Sequence, residues 1–221
     1  TPAVIPMAVK GTTLGALVIY RKEPIPAASH EFQFLYVYTS LIASIIEHAL
    51  IDMQAQMQAK TDSLTGIANH RMFQEQLQRE MSRADRRRSE FGFVLIDIDN
   101  FKIINDTYGH LVGDRILKDL TQRVSLVIRQ GDLLARYGGE EFALILPDTG
   151  AAGAQRLAER VRETIECRPY ESEDLRIPYS ISLGGPSYNR KSPRDRDSLI
   201  SDSDRALYLS KSNGKNRVSI C

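Results

Sequence analysis

The sequence predicts an α/β domain of the α+β kind: a mixed central sheet with flanking helices and a β-hairpin in its middle, preceded by a strand pair and a long helix. Three observations predict it. Apolar runs of strand length alternate with helical stretches after residue 90, the segment LLARYGGEEFALILP (133–147) sets two glycines between two apolar arms, and residues 29–60 contain neither Pro nor Gly. With 221 residues, 42% of them hydrophobic and 26% charged, the chain can bury one ordinary core and a smaller second piece.

Residues 1–20 alternate well enough for two short strands around the turn KGTT, since Thr, Val and Ile suit a pleated, half-buried surface. Such a hairpin is not stable alone. From about Ser29 to Lys60, Leu35, Thr39, Ile42, Ile46, Ala49 and Met53 follow a 4-3-4-3-4 spacing, the seam of a helix packed on another helix. Leu41, Ile45 and Leu50 widen the stripe, so the same helix could instead cover its own sheet. DSLTGIANHRMF (62–73) is turn-rich and leads into a helix to about Arg87, and FGFVLIDID (91–99) reads as a strand buried on both faces with carboxylates at its exit. A helix from about Gly113 to Ile128 precedes the hairpin, whose turn is Gly138-Gly139 and which is expected at the sheet's centre. A helix at about 151–166, a strand near Tyr179–Leu183 and a final helix at about 197–212 complete the pattern.

Charge excludes some functions. Against 28 Asp and Glu stand 29 Lys and Arg, a net charge of +1 that recruits neither nucleic acid nor an anionic membrane, so a phosphate ligand must be held locally. The basic clusters RADRRR (83–88) and RKSPRDR (190–196) each contain Asp and read as solvated loops. Cys167 and Cys221 lie far apart without metal-site spacing, and a reduced, cytoplasmic compartment is expected. The run LIASIIEHALI (41–51) is broken by Glu47 and His48, so no segment is expected to cross a membrane. The chain begins at Thr without the basic start of a signal peptide and reads as part of a longer protein.

Asp97 and Asp99 close one strand; Glu140 and Glu141 open another. If those strands are neighbours, four carboxylates share a small volume, which raises their pKa values unless a hard divalent cation neutralises them. Otherwise they are separate surface acids at strand ends.

RYGGEEF (136–142), with DIDNFKIINDTYGHLVGD (97–114), DSLTGIANHRMF and ALYLSKSNGKNRV (206–218), resembles the GGDEF family of diguanylate cyclases. The resemblance implies a fold like the palm of nucleotide cyclases and polymerases, and a dimeric enzyme that joins two GTP into cyclic di-GMP with release of two pyrophosphates. It implies Mg²⁺ or Mn²⁺ held by Asp97, the carbonyl of Ile98 and Glu140, with Glu141 as a further acid. It implies guanine reading by Asn105 and Asp114, and triphosphate binding by backbone N–H groups around Phe101 and by Lys102, Lys211 and Lys215. The last position is usually Arg in the family, and Lys keeps the charge without the bidentate fork. IRQGD (128–132) carries Arg129 and Asp132 at the spacing where many GGDEF proteins bind their own product and are inhibited by it, with Arg160 as a second grip matched by position. PMAVKGTTLGALVIY (6–20) with the following helix is similar to the end of a GAF sensor domain, which would make residues 1–60 a sensor fragment with a dimerisation helix and 61–221 the catalytic domain. The competing reading is a module that binds GTP or cyclic di-GMP without turning it over.

Overall fold

The computed structural model describes residues 2–58, 60–172, 175–188 and 195–220, and the chain divides into two compact units, Thr1–Ala59 and Lys60–Cys221. In the first, β1 (Pro2–Val9) and β2 (Thr12–Tyr20) pair antiparallel, with Lys10 and Gly11 at positive φ in the turn between them. The helix α1 (His30–Gln58) lies against β1. Its buried stripe is Thr39 and Ala43, flanked by the half-buried Leu35, because small side chains let helix and strand approach closely. The expected seam therefore splits: Leu35 and Thr39 face the strand pair, Ile42, Ile46 and Ala49 are exposed, and the side chain of Met53 lies outside the described residues. The stretch His30–Ile51, with Glu31 and Glu47 the acids within it, is long and apolar enough to cross a membrane by length and composition alone, a test that core helices of soluble proteins also pass.

The second unit runs α2 (His70–Arg87), β3 (Phe91–Ile98), α3 (Phe101–Tyr108), α4 (His110–Val127), β4 (Leu133–Arg136), β5 (Glu141–Pro147), α5 (Ala151–Glu166), β6 (Tyr170–Ser172), β7 (Leu175–Ile177), β8 (Ile181–Gly185), β9 (Ser187–Tyr188), α6 (Arg196–Ser212) and β10 (Val218–Ile220). The main sheet has the order β10-β8-β3-β5-β4, with β9 also on β3; only β10 and β8 run parallel. A mixed sheet with flanking helices is thus as the sequence predicts, but the hairpin β4–β5 sits at one side with β4 on the edge, and β3 is the central strand. Every residue of β3 is buried, which is why its sequence is apolar without alternation.

Alternate residues of β3 feed two cores. Val94, Ile96 and Ile98 pack with Ile116, Leu120, Val161 and Ile165 of α4 and α5; Phe91, Phe93 and Leu95 pack with Phe73 and Leu77 of α2 and Leu199 and Leu207 of α6. Asp97 continues the second set and so emerges on the α2/α6 side. The cluster at 83–87 is the last turn of α2 rather than a loop, where cations suit the carbonyl end of the helix; Arg88 caps it in the left-handed conformation. Most of the second basic cluster, 190–194, lies outside the described residues, as does Cys221; Cys167 is exposed.

Candidate active site

Three short stretches meet at one end of β3. The first is the strand itself: Asp97 stands directly across from Glu141 in the β3–β5 register. Burial pushes the Asp97 carboxyl up to about 6; its bond from Lys211 opposes that shift, and the charges of Glu140 and Glu141 add to it. Lys211 Nζ lies 2.7 Å from Asp97 Oδ2. The second stretch is the turn of the hairpin, where the N–H groups of Tyr137 and Gly138 donate to Glu141 O at 2.8 and 3.1 Å. Its glycines are not at positive φ, contrary to the tight two-residue turn the sequence suggests. At Gly138 an added Cβ would meet Glu141 Oε2 at 2.8 Å and so displace that carboxylate. The third stretch is the start of α3, where Asn100 adopts the left-handed conformation and makes no side-chain cap. The first turn leaves the N–H groups of Phe101, Lys102 and Ile103 pointing forward without helical acceptors, a ready anion cradle.

Asp99 does not join the other acids. It is buried; its Oδ1 accepts from Ser182 Oγ at 2.7 Å, and its Oδ2 accepts from Ser180 Oγ at 2.7 Å and from the Asn216 N–H at 3.0 Å. The expected group of four carboxylates therefore does not form: Glu141 stands across from Asp97, and the charge of Glu140 also reaches it. Among the described residues no group of three His, Cys, Asp or Glu side chains is gathered for a metal ion. Asp97 and the two glutamates whose charges reach it offer only hard carboxylate oxygens, the chemistry that Mg²⁺ or Mn²⁺ requires.

Phe101 is buried in the core between α3 and α4, so only its backbone faces the cradle; Lys102 is exposed on α3. Lys215 bonds Asn100 Oδ1 across the mouth of α3. One turn into α3, Asn105 Oδ1 is buried without a hydrogen-bond partner. It lies against Gly113, where an added Cβ would meet that oxygen at 2.0 Å, and Asp114 follows on the same helix, half-buried.

Sequence reasoning missed the tie that holds the hairpin. Arg136 Nη1 donates to both carboxylate oxygens of Asp62, at 3.1 and 3.2 Å, while its Nε and Nη2 donate to Gly139 O at 3.2 and 2.8 Å. Asp62 Oδ1 also accepts from the Thr65 N–H and hydroxyl, so the Asp-x-x-Thr spacing in DSLT was the available signal.

Away from these acids, Arg129, Asp132 and Arg160 line a groove of about 1040 Å³ together with Asp148, Thr149 and Arg156. Arg156 was not expected there. Arg129 Nη2 reaches Thr149 Oγ1 at 2.8 Å but Asp132 Oδ1 only at 3.5 Å, and Asp132 Oδ2 accepts from the Arg129 N–H at 2.9 Å. The carboxylate thus shapes the loop, and the largely exposed guanidinium stays open to the groove.

Fold and site together define a class: an α/β domain with acids gathered at one end of a mixed sheet, beside the open N-terminus of a helix. The family model "Diguanylate cyclase, GGDEF domain" matches residues 59–217. Diguanylate cyclase A of Treponema denticola is 33% identical over 220 residues, 98% of this chain and 58% of that protein. The response regulator PleD of Caulobacter vibrioides is 36% identical over 185 residues, 82% of this chain and 39% of that protein. Among solved structures, the coiled coil and GGDEF domain of DgcB from Caulobacter crescentus, in complex with cyclic di-GMP, matches with a TM-score of 0.77 at 28% identity, covering 87% of this chain and all of that one. The active GGEEF domain of a diguanylate cyclase from Vibrio cholerae matches with a TM-score of 0.64 at 34% identity, over 70% of this chain and 97% of that one. The chain belongs to the GGDEF-domain family of diguanylate cyclases. It spans about half the length of the curated relatives it matches.

Proposed function

We propose that this chain is the catalytic part of a diguanylate cyclase that condenses two GTP into cyclic di-GMP and two pyrophosphates in the cytoplasm. The observation that carries the reading is the unpartnered Asn105 Oδ1, packed against Gly113, the residue before Asp114. Guanine offers N1–H and N2–H on one edge to two such acceptors; adenine lacks that pair of donors, so the wrong base leaves buried acceptors unpaired.

The triphosphate lies on the N–H groups at the start of α3, with Lys102, Lys211 and Lys215 around it. Each chain holds one GTP, and two sites face each other in a dimer. The 3′-hydroxyl oxygen of one nucleotide forms a bond to the α-phosphorus of the other, the bond from that phosphorus to the bridging oxygen breaks, and pyrophosphate leaves with the electron pair. The hydroxyl proton passes to a carboxylate, Glu141 or Glu140. Asp97, the Ile98 carbonyl and Glu140 hold Mg²⁺ or Mn²⁺, which when bound neutralises phosphate charge and lowers the pKa of the attacking hydroxyl. Lys211 then exchanges Asp97 for phosphate oxygens.

Dimerisation falls to α1, whose exposed Phe34, Tyr38, Leu41 and Ile45 repeat at 4-3-4 spacing away from the strand pair. Residues 1–60 serve as the end of a GAF-like sensor and its output helix, and 61–221 as the catalytic domain. The groove of Arg129, Asp132 and Arg160 takes product, whose phosphates suit its three guanidinium groups, and product bound there slows synthesis without competing for GTP. The cyclic di-GMP in the DgcB complex supports a product site in this family.

Incubation with GTP and Mg²⁺ tests the proposal: cyclic di-GMP and pyrophosphate in a 1:2 ratio are expected from the parent and none from Glu140→Ala. Binding of GTP without turnover would instead identify a sensing module.

A further inference from the structure

Asp99 is a buried carboxylate that the proposed chemistry does not use. Both its oxygens are engaged, by Ser182 Oγ, Ser180 Oγ and the Asn216 N–H, and its own N–H donates to Ser180 O at 3.0 Å. The last of its acceptor bonds reaches the α6–β10 turn, where Gly214, Lys215 and Asn216 follow one another at φ +113°, +63° and +48°. Two consecutive non-glycine residues in the left-handed region persist only where their surroundings impose it.

Those surroundings are on the page. The Lys215 N–H donates to Ser210 O at 3.0 Å, at the end of α6. Asn216 Nδ2 donates to Glu166 Oε1 at 2.6 Å, and Asn216 Oδ1 accepts from Arg162 Nη1 at 3.1 Å. Arg162 Nη1 also donates to Glu166 Oε2 at 2.6 Å, which closes a ring of three side chains around the turn. Asn216 is thus gripped through its backbone by Asp99 and through its side chain by α5. The residue directly before the gripped Asn216 is Lys215, whose ammonium reaches Asn100 at the open start of α3.

We infer that Asp99 and Asn216 are positioning residues for the phosphate grip: they fix the left-handed turn that carries Lys215 to the mouth of α3. The inference rests on the proposed GTP reading and deepens it. Asp99 acts here as an acceptor for the turn, not as a metal ligand, and Asn216 contributes shape rather than contact with substrate. The arrangement also answers the absence of a guanidinium at position 215. A lone ammonium has no fork to orient itself, so its direction is set by the backbone beneath it.

Calorimetric binding of a GTP analogue with a non-cleavable α–β bridge, in Mg²⁺, tests it with the full chain. If the parent does not bind the analogue, the GTP reading itself fails and the inference falls with it. If the parent binds, Asp99→Ala is expected to weaken binding about tenfold, the loss that accompanies one charge-assisted hydrogen bond. Asp99→Asn is expected to bind within about threefold of the parent, because the two serine hydroxyls can each rotate to donate or accept while the amide oxygen still receives the Asn216 N–H. In a Lys215→Met background Asp99→Ala should cause no further loss, since its effect runs through that ammonium. Equal affinity of parent and Asp99→Ala, or an undiminished loss in the Lys215→Met background, would overturn the inference. Should Asp99→Ala fail to fold, Asn216→Gly carries the same test: glycine tolerates φ +48° and keeps the N–H to Asp99 but releases α5. Unchanged binding by Asn216→Gly would then overturn it, and weakened binding that disappears in Lys215→Met would support it.

Discussion

Asp62→Asn isolates the bond that ties the β4–β5 hairpin to the segment before α2. The variant keeps shape and volume but removes the charge that receives two bonds from Arg136 Nη1, at 3.1 and 3.2 Å. A charge-assisted hydrogen bond contributes about 1.5–3 kcal/mol, and with each side chain about one-fifth exposed, solvent screening lowers the expected loss to about 1–2 kcal/mol. In a domain of this size that corresponds to a fall in Tm of roughly 3–6 °C. Burial pushes the Asp62 carboxyl up, but the bonds from Thr65 and Arg136 outweigh it and hold it below the ordinary carboxylate range. A depressed carboxylate stabilises the fold above its unfolded pKa and loses that contribution as pH falls through the folded value. The gap between parent and variant is therefore expected at pH 7 and should close as the pH is lowered below about 3.8, the unfolded value. Calorimetry across that range is the assay. A gap that persists unchanged at the acid end would mean that the loss comes from packing rather than from the charge, and no gap at pH 7 would mean that the tie does not stabilise the domain. Because Arg136 also straps Gly138 and Gly139, turnover should fall in the variant although Glu140 and Glu141 are untouched.

Three other outcomes are expected. Asp97→Asn should abolish synthesis yet stabilise the metal-free protein above pH 6 by about 1 kcal/mol after allowance for screening. The native carboxyl is raised to about 6, so its contribution is present below 3.8 and lost as pH rises through 6; a gain that does not vary with pH would refute this. Deleting residues 1–59 should leave a folded domain, because neither core of the second unit includes a residue before Leu64, with activity that falls steeply at low protein concentration. Undiminished activity on dilution would remove α1 as the dimeriser. Arg129→Ala should raise the cyclic di-GMP concentration needed for inhibition by about ten- to a hundredfold, and inhibition curves identical to the parent's would show that the groove does not bind product.

The elements legible in the sequence were those in which period and burial agree. The helices that became α5 and α6 and the strand β3 fall within a residue or two of their expected limits, while α2 ends where expected but begins at His70, inside the stretch read as turn-rich. The helix α3 was not foreseen: it is only eight residues long and carries Asn105, Asp106 and Thr107, all weak helix formers, and the burial of Phe101 and Ile104 offsets that propensity. Short strands such as β6, β7 and β10 were likewise silent, because three residues do not establish an alternation. The misplacement of the hairpin has a different origin. Local sequence reveals that two arms pair but not which arm finds a further partner, and here β5 continues onto β3 while β4 stops at the edge.

The acids show where reading by residue type ends. Asp97 and Asp99 are two apart, equally charged and both buried, and nothing in their immediate sequence separates them. What separates them is which neighbours the sheet brings. Asp97 lies across from Glu141 with Lys211 on one of its oxygens, so its environment is charged and its protonation contested. Asp99, one step beyond the strand, meets two serines from the β8 side and a backbone N–H from the α6–β10 turn, all neutral donors. Neutral donors stabilise a buried carboxylate in one fixed orientation, which suits holding a turn. A cation and two like charges leave a carboxylate free to exchange partners, which suits a site where an ammonium gives way to a metal ion and phosphates.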